Sequence, residues 1–143
     1  IAHNIISLLG NLSDKNKDEI IEQALLKTKT DFPFIGDFSG YRNTVEKLLE
    51  NKNTRRFFFV EEGTVYREKE IVDSSGNTRR IDRLIAGKKE VLVVDFKSLK
   101  EKGDSHQKQM KEYLKLAGEI YPGKTVKGFL VYLDTMGVEE IYG

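Results

Sequence analysis

The chain has 143 residues, with 24 Lys+Arg against 23 Asp+Glu and a formal net charge of +1. That is the length of one domain able to bury most of its apolar surface unaided. A charged fraction of 33% beside an apolar fraction of 38% marks a globular chain rather than a disordered one. The absence of cysteine excludes a disulfide scaffold, a cysteine nucleophile, a thiolate zinc site and a Cys-ligated iron–sulfur cluster.

The longest apolar run, residues 129–133, has five residues, against about 20 for a membrane span. No charged-then-apolar leader precedes the first elements, so we expect a cytoplasmic location and no membrane partner. Because the chain opens at Ile1 rather than Met, we expect a piece of a larger protein. Near-zero charge argues against a surface built throughout for nucleic acid and leaves a local basic face open. No P-loop Gly-x-x-x-x-Gly-Lys-[Ser/Thr] and no Gly-x-Gly-x-x-Gly occurs.

Residues 2–9 place Ala2, Ile5, Ile6 and Leu9 on one helical stripe that stops at Gly10-Asn11. A second helix is predicted over Asp18–Thr28, with Ile20, Ile21, Ala24 and Leu25 inward. Asp31–Gly40, with Pro33, Gly36 and Gly40, reads as a packed loop. A third helix is predicted over Tyr41–Glu50. Near residue 55 the composition turns strand-like, which divides the chain into a helical part, 1–55, and a strand-rich core, 56–143, expected to form one domain.

Arg56–Val60 and Val65–Val72 are strand-like and separated by Glu62-Gly63. A turn at Ser74–Asn77 leads into a strand over Arg79–Ala86, and Gly87-Lys88-Lys89 turns the chain into Val91–Val94. That last run is apolar on both faces, as a central strand covered on both sides would be. A helix begins near Asp104, which has capping-box spacing to Gln107, carries Met110, Tyr113, Leu114, Ala117 and Tyr121 inward, and stops at Pro122-Gly123. A strand over Lys127–Tyr132 follows, and a strand–helix–strand crossover favours parallel pairing. The predicted class is α/β, a mixed sheet with helices packed on it.

Chemistry-bearing residues gather where the central strand ends. Asp95 and Lys97 are two apart and share a face. With a four-residue loop at 87–90, Asp82 falls opposite Asp95; a two-residue loop shifts the pairing by two and keeps both carboxylates on one face. Like charges so placed destabilise a sheet by up to about 1 kcal/mol unless something positive lies between them, and a divalent cation with oxygen ligands answers that need. Glu68 or Glu70, which share a parity on the preceding strand, could bring another carboxylate to the same end. Taken alone, Asp-x-Lys is a short pattern with a structural reading of its own, an ion pair at a strand end. Arg79, Arg80 and Arg83 flank Asp82, Lys100, Lys102, Lys108 and Lys111 follow the Asp-x-Lys strand, and Arg55 and Arg56 add to them; these suit local phosphate contacts and carry no base-reading motif.

The run Glu68…Arg80-Ile81-Asp82-Arg83…Val94-Asp95-Phe96-Lys97…Gln109-Met110-Lys111-Glu112-Tyr113 resembles the PD-(D/E)XK nuclease superfamily, and within it the RecB-like nuclease domains at the C-terminal end of bacterial helicase–nucleases. The resemblance covers most of residues 66–133 and, loosely, the first helix; residues 11–55 carry none of it. Ile81 stands in place of the superfamily's proline, and the lack of cysteine places the chain outside the iron–sulfur branch. The resemblance implies a restriction-endonuclease-like core behind an N-terminal helical segment. It implies Mg²⁺ or Mn²⁺ held by Asp82, Asp95, the Phe96 carbonyl and His3, with Glu68 as an outer ligand and Lys97 beside the attacking water. Gln109 and Tyr113, four apart on one helix, would touch DNA backbone or brace Lys97, and Arg80, Arg83 and Lys100 would contact DNA. His106, one turn before Gln109, reads as a residue of the exposed first turn of that helix. The implied activity is metal-dependent hydrolysis of DNA phosphodiester bonds by an exonuclease module, with a helicase domain as partner, in DNA repair or recombination. The alternatives are an inactive nuclease fold kept for DNA binding or protein docking, and an α/β domain in which Asp95–Lys97 is structural.

Overall fold

Three helices, α1 (Ala2–Ser7), α2 (Lys17–Asp31) and α3 (Ser39–Glu50), open the computed structural model, which describes residues 1–98 and 103–143 with the side chains of 103 and 104 left out. The chain divides into two compact units, Ile1–Val60 and Glu61–Gly143, five residues beyond the compositional change near residue 55. In the first, α1 packs against α2 and α3. Ile5, Ile6, Ile21, Ala24, Leu25, Val45, Leu48 and Leu49 are buried, as their helical spacing predicts.

Arg56–Val60 forms no strand. The chain makes a single 3₁₀ turn, Arg55–Phe57. Phe57 and Phe58 are both fully buried, which the alternation of a half-covered strand would not allow. Asn11 takes both backbone groups of Val60: Val60 N–H donates to Asn11 Oδ1 at 2.8 Å, and Asn11 Nδ2 donates to the Val60 carbonyl at 2.8 Å. Those are the groups a sheet ladder would need at that residue.

The second unit is a five-stranded mixed sheet in chain order: β1 (Thr64–Val72), β2 (Thr78–Ala86), β3 (Glu90–Lys97), β4 (Thr125–Tyr132) and β5 (Gly137–Ile141). Helix α4 (Gly103–Ile120) crosses from β3 to β4, which pair in parallel, while the other pairs are antiparallel. Leu84, Val91, Val93, Leu130, Tyr132 and Ile141 pack with Met110, Tyr113, Leu114 and Ala117 of α4 in one core. Gly128 lets the helix approach β4: a Cβ there would lie 2.7 Å from Met110 Sδ and 2.9 Å from Leu114 Cδ2. The other face of β3, Val94 and Phe96, is buried too, which makes it the central strand its composition announces. Strand β5 has no counterpart in the sequence reading.

Side-chain alternation breaks once, on two strands together. Ile81 and Leu84 are three apart on β2, yet both lie in the core beneath α4, joined there by Ile71 of β1; Arg79 likewise reaches Glu112 of α4 at 3.4 Å. A regular strand would send Ile81 and Leu84 to opposite faces. The change falls at Glu68, whose φ is +50°. Pairing runs Arg67↔Arg83 and resumes at Lys69↔Ile81, so neither strand carries an extra residue. Both change face at the Glu68–Asp82 step and the register survives.

Candidate metal centre

The hairpin register brings the acid pair together. Gly87 N–H donates to the Glu90 carbonyl at 2.9 Å, and the pairing continues from Ala86↔Val91 to Arg83↔Val94. Extending it by one residue sets Asp82 opposite Asp95. Hydrogen-bonded pairs alternate along an antiparallel ladder, so 87/90, 85/92 and 83/94 are bonded pairs and 82/95 falls in the non-bonded class, where facing side chains stand closest. The next bonded pair would give the Phe96 N–H to the Ile81 carbonyl. Instead the Asp82 carboxylate accepts it, at 3.0 Å through Oδ2, and the ladder ends.

Two carboxyls held this way cannot both ionise cheaply. Burial first, then the Asp95 charge and a hydrogen bond shared with Asp95, push the Asp82 carboxyl well above the ordinary carboxylate range; the Phe96 N–H and Lys97 pull it down without cancelling the rise. Asp95 is only 4% exposed. Lys97 Nζ sits 2.8 Å from Asp95 Oδ2 and donates to Gln109 Oε1 at 2.8 Å, which ties the end of β3 to α4. An ammonium has three protons; two meet these acceptors among the described residues, and its side chain is 21% exposed, so the third is available to an incoming oxygen anion. One turn along α4, the buried Tyr113 donates its hydroxyl to the Arg80 carbonyl at 3.1 Å. Burial, with Asp95 and Asp82 nearby, pushes that phenol up to about 12, so it remains a donor.

The structure brings together Asp82, Asp95, Lys97, Gln109 and Tyr113 of the residues singled out in the sequence, and Gln109 and Tyr113 act as braces. Arg83 lies away from the pair: it is 1% exposed, adjacent to Asp82 and turned to the opposite side of the sheet from Leu84, and burial and the facing Arg67 both disfavour its charge. Arg80 is exposed. Glu68 and Glu70 are exposed as well, and the face switch falls at Glu68, so neither is among the acids gathered at the pair. His3 is exposed on α1, in the N-terminal unit. His106 packs against the Tyr132 ring, centroids 6.2 Å apart. Lys100 and Lys102 lie outside the described residues, as does the side chain of Asp104. The Phe96 N–H as an Asp82 partner was missed by sequence reasoning, although the 82/95 register contains it.

The donor set suits a hard divalent cation in kind, two carboxylates at a strand end with one held back from ionising by the other. Among the described residues no group of three or more His, Cys, Asp or Glu side chains is assembled. No helix among them is long and apolar enough to cross a membrane. No protein-family model matches the sequence, and no curated protein matches it either.

Proposed function

We propose that the second unit is a metal-dependent deoxyribonuclease of the PD-(D/E)XK type, hydrolysing DNA phosphodiester bonds as the nuclease module of a helicase–nuclease. One observation carries the reading: Asp82 and Asp95 face each other at the open end of a hairpin, with Lys97 held beside them by Gln109. Asp82 and Asp95 would hold Mg²⁺ or Mn²⁺, with the Phe96 carbonyl, in the same unit, as the further ligand implied by the resemblance. When bound, the ion polarises the scissile phosphate and lowers the pKa of an attacking water. The chain's own contribution is charge and position. Lys97 presents a proton to a phosphate oxygen, where charge grows as the bond breaks. Gln109 fixes that ammonium, Tyr113 pins α4 to β2, and Arg80 is exposed for a backbone phosphate.

The competing reading, a nuclease fold without activity kept for DNA binding or docking, is favoured by the two-carboxylate site, which lacks a third acidic side chain among the described residues. Digestion of linear single- and double-stranded DNA with Mg²⁺ or Mn²⁺ separates them, comparing the parent with Asp95→Ala and Lys97→Ala. Cleavage lost in both variants supports the nuclease. A parent that does not cleave but binds Mn²⁺ by calorimetry, with binding abolished in Asp95→Ala, supports a competent site that needs further partner residues. A parent that does neither supports the docking module.

A further inference from the structure

Glu68 is the one residue in a β-strand of the chain with a positive φ among those described, and its position opposite Asp82 is the place where β1 and β2 exchange faces. Non-glycine residues are disfavoured in the left-handed region and persist there when the surroundings impose it, most often at functional sites. Three contacts report the face exchange here. Lys69 Nζ lies 4.5 Å from the Tyr66 ring centroid, a pairing that residues three apart on a regular strand cannot make. Ile81 turns under α4 beside Leu84. Between them, the Asp82 carboxylate turns along the sheet into the β2–β3 gap, where Oδ2 takes the Phe96 N–H. The Glu68 carboxylate itself is exposed, and no group of three acids forms among the described residues.

We infer that Glu68 serves the acid pair through its backbone: it is a positioning residue whose left-handed conformation forces the paired face switch and thereby aims Asp82 at Asp95 and the Phe96 N–H. Its carboxylate is dispensable to the pair. This rests on the acid pair being a metal site, and two readouts keep the ideas apart.

The experiment uses the whole chain and four versions of residue 68. Glu68→Gly admits positive φ freely, Glu68→Asn tolerates it, and Glu68→Gln keeps the shape while removing the charge. Glu68→Val resists it, because a β-branched residue at positive φ is a strong outlier. The first readout is the Phe96 amide proton shift in metal-free protein, which reports whether a carboxylate still accepts that N–H. The second is the Mn²⁺ dissociation constant by calorimetry. The Gly, Asn and Gln variants are expected to keep the Phe96 shift and bind Mn²⁺ within about threefold of the parent, while Glu68→Val moves the shift and weakens binding at least tenfold. The inference is overturned if Glu68→Gln loses Mn²⁺ as severely as Asp95→Ala, which would make the carboxylate a ligand. It is equally overturned if a folded Glu68→Val keeps the parent's Phe96 shift. Should Glu68→Val not fold, a Gly variant with a displaced Phe96 shift overturns it and one with an unchanged shift upholds it. If the parent binds no Mn²⁺, the metal reading fails and the Phe96 shift alone decides the positioning role.

Discussion

Replacing Asp82 by Asn should make the metal-free protein more stable, and more so as pH rises. Asn can keep its oxygen on the Phe96 N–H, 3.0 Å away in the parent, and turn an amide N–H toward Asp95, so both hydrogen bonds survive while the like charge disappears. In the parent the native state holds the Asp82 proton above the ordinary carboxylate range, whereas the unfolded chain releases it near pH 4. Below that unfolded value the group costs the fold nothing. As pH climbs toward the raised native value, each unit costs about 1.4 kcal/mol. Asp82 is partly exposed and solvent screens part of this, so about 1–3 kcal/mol is expected to separate the two proteins at pH 7, with near equality at pH 4. Urea unfolding in EDTA, followed by tyrosine fluorescence, measures it: the chain has no Trp, and of its six Tyr all but Tyr41 lie in the second unit. Adding Mn²⁺ should reverse the order. A stability difference that is flat with pH, or an Asn variant weaker than the parent at pH 7, would refute the reasoning.

Other perturbations probe the surrounding contacts. Lys97→Ala should lower DNA cleavage by about 10²–10³-fold, the usual loss when a donor to developing charge is removed, while Mn²⁺ binding persists; lost binding would mean that the lysine holds the site together. Tyr113→Phe removes the hydroxyl donated to the Arg80 carbonyl and should cost about 1–2 kcal/mol in urea unfolding of the second unit, and an unchanged midpoint would show that bond to be idle. Gly128→Ala forces a methyl to within 2.7 Å of Met110 Sδ and 2.9 Å of Leu114 Cδ2, so these buried side chains must repack under α4 at about 1–3 kcal/mol. Since Gln109 rides on α4, its hold on Lys97 should loosen as well, visible as reduced cleavage at full occupancy of Mn²⁺.

Much of the second unit could be read from residue order, because the signals were local and dense. Gly87-Lys88-Lys89 between two apolar runs fixed a hairpin, and once its loop length was set, Asp82 had to meet Asp95. Val91–Val94, apolar throughout, announced a strand covered twice, and Pro122-Gly123 ended the crossover helix. Arg83 could have been placed as well: consecutive strand residues point to opposite faces, and the argument that put Asp82 inward put its neighbour on the other side. The rest depended on contacts remote in sequence. Phe57 and Phe58 look like strand residues until Asn11, 49 residues away, occupies both backbone groups of Val60. Strand β5 is too polar to stand out, with only Ile141 buried. A left-handed Glu68 has no signature in composition, so the expectation that a strand carboxylate at 68 or 70 would reach the acid pair had nothing to correct it.

The strand order has a consequence for how the chain reaches its native state. Neighbours in the sheet are neighbours in sequence, and only the step from β3 to β4 must wait for a helix to cross. Contacts of short sequence separation close with little loss of chain entropy and tend to form early. The β2–β3 hairpin is such a contact, so we expect Asp82 to meet Asp95 before α4 delivers Gln109 to Lys97. With the repulsion present at the folding barrier, relieving it should accelerate refolding more than it slows unfolding. Stopped-flow refolding of Asp82→Asn in EDTA, read as a chevron, is expected to show the gain on the folding arm; a gain confined to the unfolding arm would place the meeting of the two acids after the barrier.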